Sequence, residues 1–442
     1  MVWVDFAILL TCILIGARLG GIGLGTVAAL GLSVIVFGFG RPPGSFPGEV
    51  LLIVLCVVTA AAALQAAGGL ELMVSLAEKL LRRHPGRITI LAPLISYLFT
   101  FVCGTGHVSY SLLPIIAEVS RKVNERPERP MSISVIASQF AVTASPLSAA
   151  TAGMVALFSK AGNFGLKDVL IVCVPATLIG LMAGAVSVLK MGVELEKDPV
   201  FLERLEKGQL PVDRDEETTA AIAPPGAKSS VGLFIAAALL ITLLGLIPSA
   251  RPQFAVNGNT ENLSMVDSIA LVTLSATAVM LIVSKIKPET VVVTPVMRSG
   301  VIAIISILGI AWLGSTFFEG HKAQILGGIS GYLRQYSWLF SVALFLLSIL
   351  LYSQAATVAA LMGVGLQLGI KPPLLIAMFP ACNGFFFLPT YATMVAAIQF
   401  DTTGTTHVGR WVLNHSFMRP GLVVTIVSLA VGFAIARIIY GV

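Results

Sequence analysis

The sequence predicts an all-α polytopic membrane protein built from two inverted-topology repeats that carry re-entrant hairpins and broken helices. Three observations lead there. The 442-residue chain is 56% hydrophobic and only 11% charged, with a mean hydropathy of +0.94, too apolar for a soluble domain. Apolar stretches close to the 18–20 residues needed to cross a bilayer recur along its length. Two of its segments also look like one broken helix written twice. RPERPMSISVIASQFAVTASPLSAAT places Pro130 before an apolar run and Pro146 within it, and IKPPLLIAMFPACNGFFFLPTYATM places Pro373 and Pro389 at the same positions, 243 residues later.

Reading in order, spans are expected near 3–17, 20–39, 48–68, 132–159, 168–190, 231–248, 265–284, 299–318, 374–399 and 420–440. The opening MVWVDFAILLTCILIGARLGG lacks a basic n-region and a small-residue cleavage site, so it reads as a retained helix. The stretches 88–120 and 336–370 are apolar but broken near their centres by CGTGHVSYS and YSQAAT, which suits re-entrant hairpins better than spans. Before each hairpin lies an amphipathic stretch, 68–87 and 319–336, expected to lie flat at opposite membrane surfaces. A charged segment ending in prolines, 192–230, reads as a solvated cytoplasmic linker between a first repeat (1–191) and a second (231–442). Chance matching among 23 prolines is the plain alternative to the repeat. Agreement in proline spacing, polar interruption and preceding surface helix weighs against it.

Loop charge sets the orientation. With the N-terminus outside, the inner loops hold most of the Lys and Arg, and only Arg41, Lys160, Lys167, Arg251, Lys322, Arg334, Lys371 and Arg437 fall outside, as the positive-inside rule requires. Both termini then face outward. This loop bias accounts for the net charge of +6, and no basic run interleaved with aromatics is present for nucleic acid. Cys12, Cys56, Cys103, Cys173 and Cys382 all lie in apolar segments without CxxC spacing and read as packing residues. The absence of HExxH, GxSxG and Walker-type motifs leaves hydrolytic and ATP-driven chemistry without residues, so the chain is not read as an enzyme.

Paired Gly/Pro-interrupted segments in the two halves of a membrane chain mark the midplane substrate site of a secondary transporter. Helix breaks at that depth leave N–H groups with positive dipole character, which attract anions without a full charge in the bilayer. Four breaks supply the candidate substrate-binding residues. They are Gly104, Thr105, Gly106 and His107; Ser145, Pro146 and Ser148; Ser353, Gln354 and Thr357; and Asn383 with Pro389 and Thr390. Their hydroxyls and amides can donate to carboxylates, and the two opposed hairpin tips suit a short molecule with an acid at each end. The bland alternative for each Ser or Thr is a bond back to its own helix. His107 is either a donor and proton-coupling site or a capping histidine. Asp401 is read as a cap at the inner surface, and the Cys103/His107 pair is too sparse for a metal site. No cofactor is expected; coupling to Na+ or H+ is open from the residues alone.

GTGHVSYSLLPIIAEV, the RPERP segment after it, LPTYATMVAAIQFDTTGTTHVGRWVLNHSF, AAALQAAGGLELMVSLAEKLLRR and MRSGVIAIISILGIAWLG together resemble the anaerobic C4-dicarboxylate transporter (Dcu) family of bacteria over essentially the full length. The resemblance implies an inner-membrane carrier of fumarate, succinate, malate and aspartate, acting as an exchanger or by proton- or sodium-coupled uptake in oxygen-poor metabolism. It also implies an elevator movement and, by analogy, a homodimer in lipid. Some family members partner a dicarboxylate-sensing kinase. The part of the second half associated with that role reads differently here, LLYSQAAT and PTYATMV, so a sensory role is not carried over. The competing class is a dicarboxylate-binding membrane sensor without transport.

Overall fold

The computed structural model describes residues 2–19, 22–159, 164–210, 226–256, 259–351, 353–389, 391–409 and 413–442. It is mostly helical, as suits a chain in lipid that satisfies its backbone within each segment. The helices in order are α1 (Val2–Leu19), α2 (Gly23–Ser33, continuing as one π-turn to Gly38), α3 (Gly48–Ala66), α4 (Gly69–Arg83), α5 (Ile88–Cys103), α6 (Ser109–Lys122), α7 (Glu128–Val142), α8 (Ala149–Ser159), α9 (Leu166–Val188) and α10 (Pro199–Glu206). The second half contains α11 (Ala227–Leu246), a small hairpin of β1 (Gln253–Val256) and β2 (Asn259–Asn262), α12 (Met265–Val283), α13 (Pro288–Val292), α14 (Pro295–Gln335), α15 (Leu339–Leu351) and α16 (Gln354–Thr357). It ends with α17 (Gly363–Gln367), α18 (Pro372–Met378), α19 (Ala392–Phe400) and α20 (Met418–Tyr440).

Among the described residues six helices are long and apolar enough to cross a membrane, and seven if α3 and α4 form one bent span. The interrupted segments have the interruptions expected of them. α5 and α6 are separated at Gly104-Thr105, α7 and α8 at 143–148, α16 is entered from a non-helical Ser353, and α18 continues as a 3-10 turn (Phe379–Phe386) before the gap that precedes α19. The helices pack in two groups. One gathers α1, α2, α3, α11, α12 and α14, and the other gathers α5, α6, α7, α9, α18, α19 and α20. In the first group a Cβ on Gly25 would lie 1.9 Å from the Ile305 carbonyl, and one on Gly309 would lie 1.9 Å from that of Gly25. Paired glycines let α2 and α14 touch backbone to backbone, the small-residue packing typical of lipid.

Two expectations are corrected. The stretch 319–336 is not a separate surface helix, because α14 runs unbroken for 41 residues through it. In the first half Gly68 takes a left-handed conformation (φ 75°) that ends α3 and turns α4 by 69°. Gly320 has no such conformation, so nothing stops α14 there. The linker is also not wholly solvated. Leu195 is buried, Asp198 caps α10 through the Val200 and Phe201 amides, and the carboxylate of Asp198 pairs with Arg126 just before α7. Arg129 adds Glu194 at 3.1 Å, and the Arg204 guanidinium donates to the Thr402 carbonyl. The remainder of the linker, 211–225, lies outside the described residues. All five cysteines are free and buried.

Candidate functional site

A cavity of about 300 Å³ lies where the two packing groups meet. One wall is apolar, from Leu24, Ile53, Val54, Val57, Val58 and Gly300 of α2, α3 and α14. The opposite wall comes from the breaks: Gly104, Thr105 and Gly106 between α5 and α6, Gln139 on α7, Leu147 and Ser148 before α8, Ser353, Gln354 and Ala355 at the start of α16, and Tyr391 before α19. No Lys, Arg, Asp or Glu lines it among the described residues.

Local chemistry explains each break. Gly104 adopts φ 71°, and a Cβ there would lie 2.4 Å from the Leu147 carbonyl oxygen, so this reversal requires glycine. Ser148 Oγ accepts the Thr151 N–H at 3.0 Å and so caps α8, whose first residues, Ala149 and Ala150, face the cavity. Ser353 Oγ accepts the Ala356 N–H at 3.2 Å and caps α16, which passes without a gap through a π-turn (Val358–Met362) into α17. Two helix N-termini thus open on one cavity, each with its positive dipole end towards it.

Behind this wall runs a carboxamide relay. Gln354 Nε2 donates to Asn383 Oδ1 at 3.0 Å and to both the main-chain oxygen and Oε1 of Gln139 at 3.3 Å. Gln139 Nε2 donates to Thr393 Oγ1 at 3.1 Å, and Asn383 Nδ2 donates to the Pro380 carbonyl at 3.0 Å. Elements of both halves are joined by side chains that can each donate and accept. The arrangement can hold a small anion by dipoles, hydroxyls and amides, with an apolar wall for its carbon chain.

Of the sequence-derived candidates, Gly104, Thr105, Gly106, Ser148, Ser353 and Gln354 line the cavity. Ser145 is fully buried behind it, where its hydroxyl donates to the Phe101 carbonyl at 2.6 Å and accepts the Leu147 N–H. Thr357 bonds back to the Ser353 carbonyl. Asn383 stands one layer out as the partner of Gln354, and Pro146 and Pro389 are buried in their breaks without lining the cavity. The side chain of His107 and the whole of Thr390 lie outside the described residues. Asp401 accepts from Thr403, Thr405 and the Thr406 amide, a turn-capping arrangement. Sequence reasoning missed Gln139 and Tyr391. Gln139 had a usable signal, a carboxamide inside the apolar run SVIASQFAV, where a polar side chain at membrane depth is itself a functional pointer.

Comparison with known proteins identifies the family. The family model for anaerobic C4-dicarboxylate membrane transporters matches residues 1–440. The chain is 40% identical over 448 residues to the anaerobic C4-dicarboxylate transporter DcuB of Escherichia coli O6:H1, covering 99% of both chains. It is 40% identical over 435 residues to the C4-dicarboxylate transporter DcuA of Wolinella succinogenes (98% and 99% covered), and 37% identical over 438 residues to DcuA of Escherichia coli K12 (98% and 99%). These relatives are transporters and not enzymes, and the protein belongs to the anaerobic C4-dicarboxylate (Dcu) membrane transporter family.

Proposed function

We propose that the protein moves C4-dicarboxylates (fumarate, succinate, malate and aspartate) across the bacterial inner membrane by exchange or by cation-coupled uptake. The observation that carries this reading is the cavity, without Lys, Arg, Asp or Glu among its described lining residues, onto which two helix N-termini and the Gln139–Gln354 relay open. A dianion bound by dipoles and neutral donors leaves no buried charge behind when it departs, so the emptied site need not recruit a counter-ion.

In this reading residues 1–191 and 231–442 are inverted repeats, and the hairpins and broken helices alternate their exposure against the α1–α3 and α11–α14 group in an elevator movement. The cavity supports it by having one wall from each group. Both termini would face the periplasm and two copies would pair in lipid, as in other carriers of this kind. The test is proteoliposomes preloaded with unlabelled succinate, following entry of labelled fumarate and aspartate with and without sodium and proton gradients. Entry that depends on an internal dicarboxylate identifies an exchanger. Entry driven by one gradient identifies the coupling ion. Binding without entry under any gradient rejects transport in favour of a sensor.

A further inference from the structure

Three side chains distant in sequence meet away from the cavity. Asp5, in the first turn of α1, is 1% exposed, and its Oδ2 lies 2.7 Å from Nε2 of His321 on α14, a hydrogen bond, and forms an ion pair with Nε of Arg41 at 3.0 Å. His321 is 4% exposed. Both donors crowd one carboxylate oxygen, while the other, Oδ1, is buried with no hydrogen-bond partner among the described residues. A buried acceptor left unpaired costs about 1–3 kcal/mol. Ionisable side chains within membrane helices are expensive to keep and mark functional sites.

The unpaired oxygen fits a second arrangement. With a neutral imidazole the triad holds one carboxylate and one guanidinium. A proton added at Nδ1 of His321, which faces Gln324 Oε1 at 3.2 Å and would donate to it, places two cations on a single carboxylate oxygen. Oδ1 then gives the second cation an acceptor of its own. Gln324 is exposed, so this nitrogen has a route to water.

We propose that Asp5, Arg41 and His321 form a proton-binding site whose occupancy sets how α1 and the segment after α2 are held to α14. The same segment is pinned to α14 by Trp312 Nε1 donating to the Gly44 carbonyl at 3.0 Å and by the Gly44 N–H donating to Thr316 Oγ1 at 2.8 Å. Earlier residues of α14, among them Gly300 and Ser306, line the cavity, so one helix joins the two places. Among the described residues the other charged group beside this segment is Glu319, exposed and accepting from the Ser45 N–H and hydroxyl. α2 and α15, which also pack on α1, contribute no charged side chain, and Arg18 lies at the far end of α1.

The test compares the unaltered chain with H321Q, D5N and, as a control, H84Q at the exposed end of α4. Dicarboxylate exchange in proteoliposomes is measured from about pH 5.5 to 8, the range in which an imidazole changes charge, and unfolding temperature is recorded over the same range. The exchange measurement rests on the transport reading; the unfolding measurement does not. Expected are a pH-dependent exchange rate in the unaltered chain and H84Q, its flattening in H321Q and D5N, and a gap in unfolding temperature between the unaltered chain and H321Q that changes with pH. A profile of H321Q that superimposes on the unaltered one, or a temperature gap constant with pH, overturns the proposal. An unaltered chain that exchanges nothing fails the transport reading, and the temperature gap then decides the proton site. If H321Q does not fold, D5N supplies both comparisons.

Discussion

The two broken helices are held open in different ways. Between α7 and α8 the break caps itself: Ser145 accepts from Leu147, and Ser148 accepts from Thr151. Between α18 and α19 the break borrows from its neighbours. The Gly384 N–H donates to Ser348 Oγ of α15 at 2.8 Å, Asn383 bonds to Gln354, and the Phe385 ring packs on Tyr391 at 4.5 Å. Both N–H caps of the first break are local, and its tie to the first hairpin is the Ser145 hydroxyl, which donates to the Phe101 carbonyl of α5. The second break keeps its shape only while α15 and α16 stay in place. A cavity built from both thus has one side that caps its own N–H groups and one side whose Gly384 N–H is capped from the second hairpin.

The sharpest way to break this comparison is at the relay. Gln354→Leu removes the donor shared by Gln139 and Asn383 and leaves three buried acceptors without it. At about 1–3 kcal/mol for a buried group left unpaired, dicarboxylate affinity should fall by roughly 5- to 150-fold with the protein still inserted and monodisperse. Gln139→Leu should do the same from the other half. Saturable binding unchanged in both variants would remove the relay from the site.

Next in size is Gly104→Ala. A side chain at φ 71° meets the Leu147 carbonyl at 2.4 Å, so the first tip has to shift or strain by on the order of 1–3 kcal/mol. Its unfolding temperature should drop, and binding with it. An unchanged unfolding temperature would mean that this tip is as adaptable as the second.

Ser348→Ala and Ser145→Ala put the difference itself to measurement. Ser348→Ala leaves the Gly384 N–H unpaired inside the second break, at a cost of about 1–3 kcal/mol, and should weaken substrate binding as well as stability. Ser145→Ala removes one of two caps from a break that retains Ser148 and takes the donor from the Phe101 carbonyl of α5, so stability should fall by about 1–3 kcal/mol with the smaller effect on binding. Equal effects on binding would show that the second break is no more dependent than the first.

Much of this was legible in the sequence, and the reasons are physical. The helical character and the breaks were readable because apolar runs and interruptions by Gly, Pro, Ser and Asn encode them directly, whereas Pro85–Cys103, read as one limb of a hairpin, is long and apolar enough to cross a membrane by itself. Six of the thirteen named site residues line the cavity for the same reason: a residue that breaks a helix also exposes main-chain dipoles. Gln139 was missed because it breaks nothing, and Asn383 and Ser145 were placed in the site because a polar residue at a break does not reveal which way it points. The unbroken passage of α14 through 319–336 was hidden because amphipathic composition is compatible with a surface helix and with the end of a long one. The docking of 195–207 was hidden because Arg126 and Asp198, far apart in sequence, each look solvated.

That docking gives the comparison its smallest and most selective test. α7 begins beside buried charge: Arg126 Nε donates to Glu128 at 2.6 Å and its other arm to Asp198. α18 begins at Lys371-Pro372-Pro373, where no ion pair is present among the described residues. Burial alone would raise the Asp198 carboxyl, but the Arg126 guanidinium and the Phe201 and Val200 amides outweigh it and hold the group below its ordinary range. A carboxyl lowered on folding contributes stability that is fully present above its unfolded value of about 3.9 and is lost as pH falls through the folded one. Between neutrality and about pH 5, the unaltered chain should therefore exceed Asp198→Asn by a constant margin in unfolding temperature, and the margin should shrink only below about pH 4. Limited proteolysis at those pH values locates the effect. Cleavage rising first within 195–210 would place the acid-sensitive joint at the start of α7, whereas cleavage rising first near 371 would show that the second broken helix, despite having no ion pair there, is the one that acid loosens.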